Sequence, residues 1–210
     1  MKQILGILLL VLIFLLPVEA KNEKSIEIQA DHAVWDRKNN LTILSGNVVI
    51  IRKEVKLEAS VVKALGELDN IEKMIGEGRV RIVDSLTKSV ITGGYIEYDC
   101  LRQCGFVTLD PVCQQEEDNL RIASLKIEYF FKEKKSVATG GVEIHYKDLI
   151  ARSEEAVYYT EEGRLVLTGN PQVVRSESRL NGEGITVYTK EDRLQIMGGV
   201  RGTILTQSPP

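Results

Sequence analysis

The sequence predicts an all-β fold: an elongated, jellyroll-like body of consecutive antiparallel strands built from about six two-strand repeats. Three observations lead there. Segments such as "SIEIQA" (25–30), "VKLEAS" (55–60), "VRIV" (80–83) and "VEIHY" (142–146) place apolar residues at every second position, the period of a strand with one buried face. Charged stretches recur about every 30 residues, at 36–40, 66–73, 100–104, 131–135, 160–164 and 189–193. Turn signals fall between them at 45–47, 76–78, 109–111, 139–141, 168–170 and 197–199. Finally, "GNVVIIRKEVKLEAS" (46–60) returns without a gap as "GNPQVVRSESRLNGE" (169–183), with Gly46/Gly169, Asn47/Asn170, Arg52/Arg175, Glu54/Glu177 and Leu57/Leu180 identical. Self-similarity at a fixed period of this size marks a repeat architecture.

The first element is not part of that body. Residues 1–20 carry Lys2, an apolar run from Ile4 to Leu16, and a Val18-Glu19-Ala20 ending. This is the plan of a secretory signal peptide cut after Ala20. The run is shorter than the roughly 17–25 residues that span a bilayer, and the alternative is an uncleaved anchor. Residues 21–210 then form a single domain, with the repeats over about 26–205. Each unit reads as a strand, a charged turn, a second strand and a Gly-containing turn. The best helical candidate is 59–74; Gly66 interrupts it and it keeps the strand register, so it reads as strand with a helical turn near Asp69 to Lys73. The first and last strands, near Ile26–Ala30 and Arg201–Thr206, leave edges that invite strand addition from another chain.

Composition narrows the partners. The net charge is −3 and basic residues alternate with acidic ones, so no basic stripe exists to bind nucleic acid. Export implies an oxidising compartment. "CLRQC" (100–104) occupies a charged-turn slot, so Cys100 and Cys104 can pair across a hairpin and leave Cys113 free. The rival pairing is Cys104–Cys113.

No catalytic residue, metal site or cofactor site is expected. His32 and His145 fall in different units, and neither belongs to a metal-binding pattern. The pairs Gly93-Gly94, Gly140-Gly141 and Gly198-Gly199 are not followed by the Lys-Ser/Thr of a phosphate loop, and there is no GxSxG elbow. Trp35, Tyr98, Tyr129, Tyr158 and Tyr188 end the first strand of five units, which reads as an aromatic ladder in the core or, alternatively, facing a ligand.

The motifs "IEIQAD" (26–31), "SGNVVI" (45–50) and "LEA" (57–59), with "LVLTGNPQV" (165–173) and "LNGEGITVY" (180–188), resemble the OstA-like, LptA-type family of periplasmic lipopolysaccharide-transport proteins. The likeness covers nearly all of the chain after residue 20. It implies an OstA-like β-jellyroll that carries lipopolysaccharide, by its lipid A acyl chains, between an inner-membrane LptC-like and an outer-membrane LptD-like protein. It also implies head-to-tail self-association and places Ile26 and Ile28 at the groove entrance. Alternation and resemblance together point Leu44, Val48, Ile50, Leu57, Val80, Ile82, Tyr98 and Ile122 into the groove. Leu109-Asp110-Pro111 departs from the T-G-N turn and puts the geometry of the third unit in question. Two other readings stand beside the carrier: a membrane-anchored LptC-like partner, and a structural β-repeat module with a packed interior.

Overall fold

The computed structural model describes residues 26–67, 70–86, 88–116 and 119–204, none of them helical. The expected signal peptide and its cleavage point lie outside the described residues. Eighteen strands join in one continuous sheet, folded along its length into two facing layers. Six strands run through both layers: β3 (Leu41–Arg52), β4 (Val55–Glu67), β5 (Asn70–Asp84), β6 (Ser89–Asp99), β11 (Lys135–Tyr146) and β12 (Leu149–Tyr159). The others are halves of a pass broken at the fold line. They are β1 (Glu27–Gln29) with β2 (His32–Asp36), β7 (Cys104–Thr108) with β8 (Val112–Gln115), and β9 (Leu120–Ala123) with β10 (Lys126–Phe130). Further along come β13 (Arg164–Thr168) with β14 (Gln172–Arg175), β15 (Ser178–Asn181) with β16 (Gly184–Tyr188), and β17 (Arg193–Met197) with β18 (Arg201–Thr203). Among the described residues the chain thus makes twelve passes, each antiparallel to the next.

The Gly-containing signals, expected as turns between strands, are instead corners within a pass. Gly46 and Asn47 sit in the middle of β3 with φ of 77° and 46°, and the β3–β4 register skips from Ser45 to Val48 there. Paired positive φ values recur at Gly78–Arg79, Gly140–Gly141, Gly169–Asn170 and Gly198–Gly199. Two such residues bulge the strand and swing it from one layer into the other. The true turns form two rims. The charged stretches mark the first rim, at 37–40, 100–103, 131–134, 160–163 and 189–192. The second rim, with turns such as Lys53–Glu54, Lys147–Asp148 and Ser176–Glu177, escaped notice because two residues carry little compositional signal. Residues 59–67 and 70–74 are strand as expected, but Asn70 to Lys73 belong to β5 rather than to a helical turn.

The corner explains why Asp31 and "SGN" occur together. The Asp31 N–H donates to the Gly46 carbonyl at 2.9 Å, and Asn47 Nδ2 donates to the Asp31 carboxylate at 3.0 Å. A Cβ on Gly46 would run into that carboxylate, whereas one on Gly141 (φ 60°) would meet nothing within 4 Å. Gly141→Ala should therefore cost only the left-handed backbone penalty of about 1–2 kcal/mol. Gly46→Ala should cost more, because it also displaces Asp31 from its two hydrogen bonds. Urea melts of the two variants check this order. The third unit keeps the corner without glycine: Leu109 and Asp110 both have φ of 60°. Gly94, facing them, supplies the room and donates its N–H to the Leu109 carbonyl at 2.8 Å.

Candidate functional site

Strand alternation lines the space between the layers with rows of side chains that run the whole length of the body. In the second layer, Ile28, Ile50, Leu57, Ile82, Ile91, Cys113, Ile122, Ile144, Ala151, Val173, Leu180 and Gly202 stand opposite one another in succession. The first layer answers with Ala33, Leu44, Val62, Gly76, Ile96 and Val107, continuing through Ile127, Ala138, Ala156, Leu167, Ile185 and Ile196. The repeated phrase now has a structural meaning. Gly46 and Gly169 make corners, Ile50 with Val173 and Leu57 with Leu180 occupy the same inner row, and Arg52 and Arg175 both end it at the second rim.

Of the expected groove residues, Leu44, Val48, Ile50, Leu57, Val80, Ile82, Tyr98 and Ile122 are all buried between the layers. Ile26 and Ile28 stand apart from them, on the terminal pass, at 46% and 58% exposure. The opposite end also presents apolar surface at Met197, Val200 and Ile204. The middle is tightly packed: a void of only about 10 Å³ lies among Cys113, Tyr129, Tyr158 and their neighbours.

Three of the five expected members, Tyr98, Tyr129 and Tyr158, form a buried ladder; Trp35 shares their row but lies on the terminal pass at 54% exposure. Trp35, Tyr98, Tyr129 and Tyr158 fall in one inner row near the first rim, and the positions between the tyrosines are small, Gly105 and Ser136. A Cβ on Gly105 would lie 2.5 Å from the Glu97 carbonyl oxygen and 3.0 Å from the Tyr98 ring, so only glycine fits between Tyr98 and Tyr129. Tyr188 does not belong to the row. It faces outward, with the Arg193 guanidinium 3.8 Å above its ring. Burial raises the pKa of Tyr98 and Tyr129; the Tyr98 hydroxyl lacks a protein hydrogen-bond partner, while that of Tyr129 faces the Cys113 thiol.

Sequence reasoning missed a polar row along the second rim. Arg52, Val55, Asp84, Ser89 and Gln115 stand opposite one another and are followed by Leu120, Tyr146, Leu149, Arg175 and Ser178. Asp84, Ser89 and Gln115 are buried there. The one available signal was the Arg52/Arg175 match.

The expected Cys100–Cys104 disulfide is absent from the structure, and so is the Cys104–Cys113 alternative: all three thiols are free. Asp99, not Cys100, stands opposite Cys104, so the two cysteines are offset across a turn of residues 100–103. Cys113 faces inward between Ile91 and Ile122. Burial pushes both the Cys113 and Cys100 thiols up to about 12, which leaves neither as a thiolate at neutral pH. His145 is held by Glu143, with Nε2 to Oε1 at 2.7 Å, and His32 is exposed on β2. Among the described residues no group of three His, Cys, Asp or Glu side chains gathers to hold a metal ion.

The profile of the family described as "LptA/(LptD N-terminal domain) LPS transport protein" matches residues 27–93 and 112–193, more than half of the chain. Among curated proteins none matches. Among solved structures, the chain is similar to LptH, the LptA-homologous periplasmic component of the conserved lipopolysaccharide transport device of Pseudomonas aeruginosa. The identity is 16%, the TM-score 0.27, and the match covers 88% of this chain and 97% of that one. On the strength of the family match, the chain belongs to the LptA/LptD N-terminal-domain family, proteins of lipopolysaccharide transport rather than enzymes.

Proposed function

We propose that the chain is a periplasmic lipopolysaccharide carrier that shelters lipid A acyl chains between its two layers. It would form part of a bridge between an LptC-like inner-membrane partner and an LptD-like outer-membrane partner. The supporting observation is continuity: the inner apolar rows run unbroken from one terminal pass to the other, and both ends expose apolar side chains. Acyl chains would leave one apolar environment for another, avoiding water, where each CH₂ costs about 0.8 kcal/mol. The narrow middle means that the layers part to admit a chain. They can do so because the fold line, not the rims, carries the covalent continuity of each pass.

The same narrow middle favours a second reading, a structural module whose interior is simply packed. Photoreactive residues separate the two. Ile28 and Leu44 lie in inner rows, while Glu27 and Lys56 face away from them. A photoreactive residue at Ile28 or Leu44 should capture lipopolysaccharide in cells, and one at Glu27 or Lys56 should not. Equal capture from both faces, or none, would remove the carrier reading. For the exported form, N-terminal sequencing should begin at Lys21; an intact Met1 in the membrane fraction would move the assignment to the anchored partner.

A further inference from the structure

In the middle of the body the inner rows hold polar groups among apolar neighbours. Tyr98 and Tyr129 are each 3% exposed, and Gly105 stands between them in the register without a side chain. Phe131 gathers the two rings into one cluster. It lies edge-on to Tyr98 with ring centroids 5.6 Å apart and stacks on Tyr129 at 6.5 Å. The Tyr98 hydroxyl has no protein hydrogen-bond partner, and that of Tyr129 faces the Cys113 thiol, which is a weak one. Gln115, the next inward residue after Cys113 on β8, is 4% exposed, and its Oε1 also lacks a protein partner. The void of about 10 Å³ beside Cys113, Tyr129 and Ser136 is about the least space that holds one water-sized group.

We propose that Tyr98, Tyr129 and Gln115 form a polar waypoint that hydrogen-bonds a hydroxyl carried on an acyl chain, so that hydroxylated chains bind in preference to plain ones. That the ligand is a lipid rests on the carrier reading; that it bears a hydroxyl rests on the unsatisfied groups. A buried donor or acceptor left without a partner costs free energy, and native interiors seldom contain one. The Tyr98 hydroxyl can donate a proton, and Gln115 Oε1 can only accept one. A hydroxyl on the ligand is the smallest group that answers both needs. A methylene answers neither. A site built to bond a hydroxyl therefore rejects the analogue that lacks it, because the site's own polar groups then stay unpaired. The tyrosines lie in the row next to the first rim and Gln115 in the row along the second, so the hydroxyl belongs near the polar end of the chain.

The test titrates 3-hydroxytetradecanoate and tetradecanoate, each below its micelle concentration, into the protein and reads affinity by calorimetry. The hydroxylated acid should bind about tenfold tighter, the effect of one hydrogen bond made where the plain chain leaves groups unpaired. The double variant Tyr98→Phe/Tyr129→Phe keeps the rings and their packing. In it the ratio should fall to about one, through lost affinity for the hydroxylated acid alone. Thermal melts give a second readout. Removing hydroxyls that the empty protein leaves unsatisfied should hold Tm steady or raise it, whereas a clear drop would make them structural and overturn the proposal. A preference that survives in the double variant would overturn it too, since the tyrosines would then not be the readers. Equal affinity of the native protein for both acids would overturn the waypoint and leave the carrier reading standing. Binding of neither acid would also overturn the waypoint, and the carrier reading would then be decided by lipopolysaccharide capture at Leu44.

Discussion

Ile28→Asp is expected to abolish lipopolysaccharide delivery while leaving the folded protein intact. Ile28 belongs to the inner row, opposite Ile50, yet it lies on the terminal pass at 58% exposure. In the free protein an aspartate there stays in water, and exposed substitutions of this kind change stability by no more than about 0.5 kcal/mol. Once a hydrocarbon chain lies against it, the same carboxylate loses its water without gaining a partner. Even about 3 kcal/mol, the upper end of what uncompensated burial of a neutral polar group costs in proteins, corresponds to roughly a hundredfold loss. Ile28→Ala should reduce delivery only mildly. A buried position cannot supply this test, because Leu44→Asp would put the charge in the core and unfold the protein. The measurement is lipopolysaccharide arrival at the cell surface beside a thermal melt. Normal delivery by a well-folded Ile28→Asp protein would count decisively against acyl chains passing this end.

For copies that stack head to tail through the edge of β1, the arrangement the family resemblance implies, Ile28→Pro should weaken docking about tenfold with the fold retained, the effect of losing one intermolecular hydrogen bond and its geometry. Alternation of the ladder singles out this residue. The Ser85 N–H bonds the Glu54 carbonyl at 3.0 Å. Carried across β4 and β3 through the pairs Leu57–Ile50 and Ile51–Glu27, this turns the N–H groups of Glu27 and Gln29 toward β3 and that of Ile28 outward. Proline at 28 therefore removes a donor that the monomer does not use, while proline at 29 breaks a bond within the sheet and should destabilise the monomer. Sedimentation across concentration reads the first effect and urea melts the second. Ile28→Ala keeps the donor and should dock nearly as well as the native chain; equal docking by the Pro and Ala variants would mean that the edge is not the contact.

The alternating segments and the 30-residue period already carried the class of fold, the antiparallel order and the inward face of each strand. Those features are local: period 2 assigns a side to every residue, and a recurring phrase such as that of Arg52 and Arg175 states that two stretches do the same work. Ile50, Leu57, Ile82 and Ile122 were legible as inward-facing for this reason alone. What period 2 cannot say is which turn ends a strand and which merely bends it. "SGN" reads as a hairpin turn, yet Gly46 and Asn47 bend β3 from one layer into the other, because Asp31 of the neighbouring pass holds the corner. Tyr188 sits in the same sequence slot as Tyr158, but a register row decides which face it joins, and its row looks outward beside Arg164 and Arg193. The cysteines were paired by spacing, and the register set Asp99 opposite Cys104 instead. Sequence by itself thus determined the all-β class, the antiparallel strands and the buried face of segments such as those of Ile50, Leu57, Ile82 and Ile122, which follow from neighbours along the chain. Only the tertiary structure decided the two rims, the closed middle and the polar row, because each depends on the register between passes or on the facing of two layers, which no local pattern encodes.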